Sequence, residues 1–139
     1  MSEVFHDNIK THKTDIRVRY EETDRMGVVY YANYLIWFEV ARTELFRTLG
    51  ISYRELEDKK GLRLMVVESK VNYKSPATYD DLVSVETSIG RIKNTSIAFS
   101  YKVYRENKLL ATGETAHAFT NREGKPIRIP DNVREKLTS

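Results

Sequence analysis

The order of periodic segments in the sequence predicts an α+β fold, in which a five-stranded antiparallel sheet wraps around one long central helix. Three observations favour this fold: one long stretch of helical periodicity, several stretches of alternating periodicity, and turn residues between those stretches. Helices that collect on one face of an antiparallel sheet are typical of the α+β class. No repeat, Gly/Ser-rich linker or low-complexity tract divides the chain, so we expect one domain over residues 1–139.

The first half of the chain contains a strand, a loop and the helix. The strand is expected at 14–20, where apolar residues alternate with charged ones. After a loop over 21–32, apolar residues at helical spacing predict a helix with Asn33 as its N-cap and Gly50 at C′. The apolar face of this helix is wide, which predicts that the rest of the protein covers most of it.

The second half is dominated by alternating periodicity. A polar stretch over 52–63 is followed by a strand that is expected to place Met65, Val67, Val71 and Tyr73 on one side. The four strands are predicted at 64–73, 82–89, 95–104 and 109–120, and a short helix after Pro130. Pairing one edge of such a sheet with a second copy would remove an exposed edge, so a homodimer is expected.

Composition excludes several classes of function. The 23 basic and 20 acidic residues give a net charge of +3, which is too mild for nucleic-acid binding but suits a polyanionic small ligand. The chain has no cysteine, which excludes disulfides, a cysteine nucleophile and thiolate metal sites. The N-terminal residues 1–13 lack an apolar stretch, and no run approaches the roughly 20 residues of a membrane span. We therefore expect a cytoplasmic protein without a signal peptide.

Motifs of the common cofactor and nucleophile sites are missing from the sequence. There is no G-x-S-x-G elbow, no G-x-G-x-x-G and no Walker A loop. The histidines at 6, 12 and 117 stand singly, without the spacing of metal ligands, and His117 is expected to be a satisfied sheet residue. We therefore expect neither a metal nor another cofactor.

The loop before the predicted helix is the unusual segment. It holds Glu21, Glu22 and Asp24, followed by the apolar and aromatic run 28–34. A helix N-terminus offers free N–H groups that suit an oxygen gaining negative charge, and a nearby carboxylate can act as base or nucleophile. From the residues alone the simpler interpretation, a capping loop with solvated acids, is favoured, and Glu21 and Glu22 are expected to be exposed.

Two segments carry a resemblance to a known family. Residues 19–34, RYEETDRMGVVYYANY, and 38–44, FEVARTE, resemble the hotdog-fold thioesterases of the 4-hydroxybenzoyl-CoA thioesterase family, and most closely the acyl-CoA thioesterases associated with the bacterial Tol–Pal cluster. The similarity extends through Pro76 and Asp81 to about Thr120. The resemblance implies a hotdog domain that hydrolyses acyl-CoA to a carboxylic acid and free coenzyme A.

The resemblance also implies catalytic roles. Asp24 matches the carboxylate that attacks the thioester carbonyl or activates water, and the backbone N–H of Tyr31 matches the group that polarises this carbonyl. Gly27 matches the glycine where the chain turns tightly beside the acyl group. In the Tol–Pal subgroup His commonly stands at the Tyr31 position, and the hydroxybenzoyl enzymes have Pro where this chain has Ala32, so acyl preference is not transferred.

Substrate contacts are implied at further positions. Tyr34 is expected to line the acyl pocket or to pack in the core, and Glu39 to orient the catalytic loop or to pair with Arg42 or Thr43. Arg91 and Lys93, beside Ser96, match the region that contacts the coenzyme A phosphates. Enzymes of this family build each pocket from two chains, which implies a homodimer or a homotetramer formed as a dimer of dimers.

Two rival functions remain at this point. The first is hydration of an enoyl thioester on the same fold. Enzymes of that kind resemble one another in having a His and an Asp or Glu near the central helix, but no histidine lies between His12 and His117 in this chain. A non-catalytic module that binds acyl-CoA or acyl carrier protein is opposed only by Asp24, which mere binding does not need. Acyl chain length, aromatic or aliphatic preference, and delivery by coenzyme A or a carrier protein stay open.

Overall fold

A five-stranded antiparallel sheet with the strand order β1-β3-β4-β5-β2 is the frame of the protein. The computed structural model describes residues 10–138. The strands are β1 Thr11–Arg17, β2 Arg63–Tyr73, β3 Leu82–Ile92, β4 Ser96–Arg105 and β5 Lys108–Thr120. The helices are α1 Asn33–Thr48, α2 Tyr53–Lys60 and α3 Asp131–Thr138, with a short 3-10 helix at Tyr20–Glu22. The predicted α+β class is confirmed, and β1 and β2 form the two edges of the sheet.

Helix α1 packs its inner face against the sheet. Trp37, Phe38 and Phe46 are each at most 1% exposed, and burial of such a side chain stabilises the fold by about 1.5–3 kcal/mol. The ring of Phe38 stacks on Tyr101 of β4 with ring centroids 4.1 Å apart. A Cβ atom at Gly113 of β5 would lie 2.4 Å from Phe38, so glycine at this position allows the close approach of helix and sheet.

The two ends of α1 differ in how well the sequence predicted them. Gly50 has a φ of +79°, its N–H donates to the carbonyl of Arg47, and the N–H of Ile51 donates to Phe46, as in a Schellman motif. The predicted C′ glycine is therefore confirmed. The predicted N-cap is wrong, because Ala32 occupies that position and Asn33 is the first helical residue.

Helix α2 corrects the expectation of an irregular polar stretch over 52–63. Ser52 caps the helix, since its hydroxyl oxygen accepts the N–H of Glu55 at 3.2 Å, and Gly61 ends it with a φ of +62°. None of the residues in α2 is fully buried, and its apolar side consists only of Tyr53 and Leu56, which is too short for hydrophobic periodicity to detect. Within residues 10–138, no helix combines the length and the apolar character that crossing a membrane requires.

The two edge strands also depart from the predictions. Strand β1 ends at Arg17, three residues early. The N–H of Val18 still donates to Asp81 in the register of β1 and β3, but the N–H of Asp81 donates to Thr78 within the turn before β3, and Tyr20 begins the 3-10 helix with 76% of its surface exposed. In β2 a bulge between Val66 and Glu68 breaks the alternation. The bulge leaves three consecutive apolar side chains exposed, Met65, Val66 and Val67.

Candidate active site

The loop over residues 23–30, here called the Asp24 loop, is closed by its own backbone. The N–H of Asp24 donates to the carbonyl of Val28 at 2.9 Å, and the N–H of Gly27 donates to the carbonyl of Asp24 at 2.9 Å. Gly27 has a φ of +81°, which agrees with the predicted tight turn. Thr23 and Val29 pair across the base of the loop. The backbone around Asp24 is therefore fixed before any ligand binds.

The turn before β3 supports the Asp24 loop from outside. The N–H of Val29 donates to the carbonyl of Ala77 at 2.8 Å. The same turn is held by Asp81, whose Oδ2 accepts hydrogen bonds from the N–H of Thr78 and from Arg105, both at 2.9 Å. Burial raises the pKa of Asp81, but the hydrogen bonds from Thr78 and Arg105 outweigh it, so the pKa lies below the usual value. The Asp24 loop thus rests on a turn that an ion pair keeps rigid.

The two oxygens of the Asp24 carboxylate have different surroundings. Oδ1 accepts the N–H of Met26 at 2.8 Å, whereas within residues 10–138 Oδ2 has no hydrogen-bond partner. The pKa of the Tyr30 hydroxyl is raised, first by the neighbouring Tyr31, then by lost hydration and by the charge of Asp24. Asp24 and the two tyrosine rings therefore share one neighbourhood. One carboxylate oxygen is anchored and the other is free to face a ligand.

The N-terminus of α1 presents free donors beside this carboxylate. The carbonyl of Tyr30 accepts the N–H of Asn33 at 2.9 Å, and the carbonyl of Tyr31 accepts the hydroxyl of Tyr73 at 2.8 Å. Among the described residues, the N–H groups of Tyr31 and Ala32 donate to no hydrogen bond. Together with the partial positive charge at a helix N-terminus, these groups suit a carbonyl oxygen that becomes negative.

Glu22 is buried, and the expectation that it is exposed is wrong. The residue is 3% exposed, and its carboxylate accepts the indole N–H of Trp37 at 3.0 Å. Its carbonyl also accepts the side-chain amide of Asn33 at 2.9 Å, which explains why Asn33 does not cap α1. Trp37 lies 15 residues further along the chain, so no local sequence pattern could predict this contact.

Two predicted substrate-binding residues lie on opposite sides of α1. Tyr34 is 2% exposed and packs edge-on against Tyr73, with ring centroids 5.1 Å apart, so within this chain it is a packing residue. Glu39 lies on the exposed side of α1, and its side chain has no hydrogen bond or ion pair among residues 10–138. Its alternative partner Arg42 is buried instead, and donates to the hydroxyl of Tyr101 at 3.4 Å.

The predicted phosphate contacts lie far from the Asp24 loop. Arg91, Lys93 and Ser96 line one groove of about 430 Å³, together with Lys70. They lie where β3 ends and β4 begins, whereas the Asp24 loop lies where β3 starts. Nine residues of strand separate the ends, which corresponds to about 30 Å. The structure therefore brings Arg91, Lys93 and Ser96 together, but not with Asp24.

A chain of buried polar groups connects α1 to the sheet behind the site. The hydroxyls of Tyr101 and Thr115 share a hydrogen bond of 2.6 Å, and Oγ1 of Thr115 lies 2.8 Å from Nε2 of His117. Within the described part of the chain, Nδ1 of His117 has no partner, so the expected satisfied histidine is only half satisfied. Burial and, to a smaller extent, Arg42 lower the pKa of His117 to about 4.

A family model matches this structure over nearly all of its length. The model of the thioesterase-like superfamily matches residues 18–137, which include the Asp24 loop, α1 and the whole sheet except β1. The chain belongs to the thioesterase-like superfamily. Among curated members, the acyl-CoA thioesterase YbgC of Haemophilus influenzae is 36% identical over 120 residues, which are 86% of this chain and 88% of that protein.

Solved structures agree with this membership. The DHNA-CoA thioesterase from Staphylococcus aureus is 36% identical, with a TM-score of 0.85 over 91% of this chain and 90% of that chain. A mutant 4-hydroxybenzoyl CoA thioesterase complexed with 4-hydroxybenzoyl CoA has a TM-score of 0.86 over 93% of this chain and 99% of that chain; at 21% identity it shows the fold alone. The predicted hotdog fold and family are confirmed, and so is the prediction that the protein is a thioesterase.

Proposed function

We propose that the protein hydrolyses acyl-CoA thioesters to a carboxylic acid and free coenzyme A, with Asp24 and the N–H of Tyr31 as the reacting groups. The observation that carries this proposal is the pairing of a half-anchored carboxylate with unused N–H donors at the start of α1. The acyl-CoA thioesterase name of the relative from Haemophilus influenzae supports the substrate class.

The geometry supports an addition–elimination route. The thioester carbonyl oxygen accepts the Tyr31 N–H and becomes negative when a nucleophile adds to the carbonyl carbon, and loss of one such donor typically costs about 100- to 1000-fold in kcat. Asp24 either attacks this carbon, forming a mixed anhydride that water then hydrolyses, or removes a proton from the attacking water. In both routes the carbon–sulfur bond breaks and coenzyme A leaves as its thiolate.

The Gly27 turn leaves room for the acyl group. A Cβ atom at Gly27 would have no protein atom within 4 Å, so the space above the turn is open. Tyr34 packs against Tyr73 and so supports one side of this space. Glu39, on the outer side of α1, is assigned to substrate contacts that a second chain completes.

A site of this kind needs two chains. Arg91, Lys93 and Ser96 lie about 30 Å along the sheet from the Asp24 loop of the same chain. An acyl-CoA whose thioester lies at the Asp24 loop would therefore place its phosphates in the groove of a second copy. The exposed apolar residues Met65, Val66 and Val67 on the edge strand β2 support pairing of the sheets in a homodimer, from which a homotetramer can form. We place the reaction in the cytoplasm, with acyl carrier protein as an alternative carrier of the acyl group.

A thiol-release assay tests the hydrolysis directly. Because the protein has no cysteine, a thiol reagent such as dithiobisnitrobenzoate reports only the coenzyme A that the reaction releases. We expect release from at least one member of a panel of short, long and aromatic acyl-CoAs. Tight binding of acyl-CoA without release from any of them would contradict the proposal and favour the non-catalytic binding module.

A further inference from the structure

Glu22 is the one acidic residue that is buried among residues 10–138. Its side chain is 4% exposed. Taking a carboxylate out of water is unfavourable unless donors replace the lost hydration. Both oxygens have such donors, since Oε1 accepts the backbone N–H of Arg19 at 2.8 Å and Oε2 accepts the indole N–H of Trp37 at 3.0 Å. The carboxylate therefore ties the segment before the Asp24 loop to Trp37 in the second turn of α1.

The main chain of Glu22 makes two further attachments. Its carbonyl oxygen accepts the N–H of Tyr30 at 2.8 Å and the side-chain amide of Asn33 at 2.9 Å. Tyr30 ends the Asp24 loop, and Asn33 is the first residue of α1. Glu22 thus holds both ends of the loop and the start of the helix at one point.

The two proposed reacting groups lie directly beside these attachments. Asp24 follows Glu22 by two residues, and Tyr31 follows Tyr30 in the chain. We infer that Glu22 is a positioning residue, whose bond to Trp37 sets the Asp24 carboxylate relative to the Tyr31 N–H; this inference rests on the proposed hydrolysis. Misplacement of a reacting group by about 1 Å can cost on the order of 100-fold in rate, so the expected effect falls on kcat.

The chemistry of the contact requires a carboxylate. Both oxygens of Glu22 face N–H donors, whereas a glutamine has one oxygen and one NH₂ group, so Glu22→Gln turns a donor towards Arg19 or Trp37. Trp37→Phe removes the indole N–H and keeps an aromatic ring in the core. Glu21→Gln is the matched control, because Glu21 is the neighbouring glutamate and its side chain is 75% exposed.

Steady-state kinetics on folded protein distinguish a role of Glu22 in positioning the reacting groups from a role in stability alone. For Glu22→Gln we expect kcat to fall about 10-fold or more while KM stays within about threefold, and for Glu21→Gln we expect no change. Because Trp37 is the only tryptophan and contacts Glu22, far-UV circular dichroism rather than fluorescence shows whether each of the variants is folded at the assay temperature. Glu22→Gln and Trp37→Phe disturb the same contact, between Glu22 and Trp37. The kcat of the double variant should therefore fall by no more than the larger of the two single losses.

Each outcome decides the inference. A folded Glu22→Gln variant with wild-type kcat, or losses that multiply in the double variant, would overturn it. If Glu22→Gln does not fold, Trp37→Phe decides in its place: a lowered kcat at unchanged KM supports the inference, and a wild-type kcat overturns it. A wild-type protein that releases no thiol overturns the proposed function itself, whereas an active wild type beside an active Glu22→Gln overturns this inference alone.

Discussion

The hydroxyl of Tyr73 donates a hydrogen bond of 2.8 Å to the carbonyl oxygen of Tyr31. Tyr73 is the last residue of the edge strand β2, whereas Tyr31 lies just before α1. The bond fixes the peptide group between Tyr31 and Ala32 and leaves the N–H groups of both residues available. The proposed mechanism assigns the substrate carbonyl to the Tyr31 N–H, and the Ala32 N–H is the alternative donor.

Proline substitutions distinguish these two donors. Ala32 has a φ of −70°, which proline adopts, and its N–H is unused, so Ala32→Pro removes one donor without breaking a hydrogen bond. If the Tyr31 N–H binds the carbonyl oxygen, Ala32→Pro keeps most of the kcat, whereas Tyr31→Pro loses about 100-fold or more. Tyr31→Phe, which keeps the N–H, should remain active. Folded but inactive Ala32→Pro protein would assign the donor to Ala32 instead.

A pair of glycines tests the space above the Asp24 loop. Gly27 and Gly124 have φ values of +81° and +85°, and a Cβ atom at either would have no neighbour within 4 Å. Alanine at each should therefore lower the free energy of unfolding by a similar amount, about 1 kcal/mol. Only Gly27→Ala should also lower kcat/KM, as measured by initial rates beside urea unfolding. Equal activity of the two variants would show that Gly27 serves the turn alone.

The sequence predicted the parts of the fold that local patterns encode. Helix α1 and its end at Gly50 follow from apolar spacing and a left-handed residue, and the sheet follows from alternation. Helix α2 was missed because only Tyr53 and Leu56 form its apolar side, although Ser52 and Gly61 mark its ends. Edge strand β1 was predicted to run three residues too far, because its pairing with β3 ends where the N–H of Asp81 bonds to Thr78 within its own turn, a contact that the spacing of residues 14–20 does not reveal.

The candidate site was predicted less completely than the fold. The resemblance supplied Asp24, Gly27 and Tyr31, which the structure places around one loop and one helix end. The buried position of Glu22 depends on Trp37, a partner 15 residues away, so spacing rules could not detect it. Long-range contacts of this kind are set by tertiary packing rather than by local propensity.

The buried His117 predicts a pH dependence of stability. Its pKa is lowered from 6.5 to about 4 in the folded chain, so the unfolded chain binds more protons between these values. Stability from this residue is complete above pH 6.5 and falls as the pH decreases towards 4, by about 3 kcal/mol in total. Urea unfolding measured from neutral pH down to pH 4.5 should show most of this loss.

His117→Gln is the control for this pH dependence. Glutamine can bond to Thr115 as the imidazole does, but it does not titrate. We expect the variant to lose less stability than the wild type over the same pH interval. Asp81 does not affect the comparison, because its pKa is lowered from 3.8. Its contribution to stability is therefore lost only as the pH falls below the interval that is measured. Parallel curves for the two proteins would show that His117 is not the titrating group.

Mixed oligomers test the two-chain site. The two variants are Asp24→Asn and the double change Arg91→Ala, Lys93→Ala. When each variant is assembled only with itself, its oligomers should be less active than the wild type. If the groove of one copy serves the Asp24 loop of another, dissociating, mixing and reassociating the two variants restores one native site in each mixed dimer, roughly a quarter of all sites. A mixture no more active than its components would place the phosphate contacts elsewhere.

The thiol-release rate of Asp24→Asn against Glu21→Gln is the most direct measurement of the central claim. Asparagine keeps the size of Asp24 and an oxygen for the Met26 N–H, but it is neither a base nor a nucleophile. With both variants folded, we expect Asp24→Asn to lose about 100-fold or more in kcat and Glu21→Gln to match the wild type. An Asp24→Asn variant that releases coenzyme A at the wild-type rate would contradict the account.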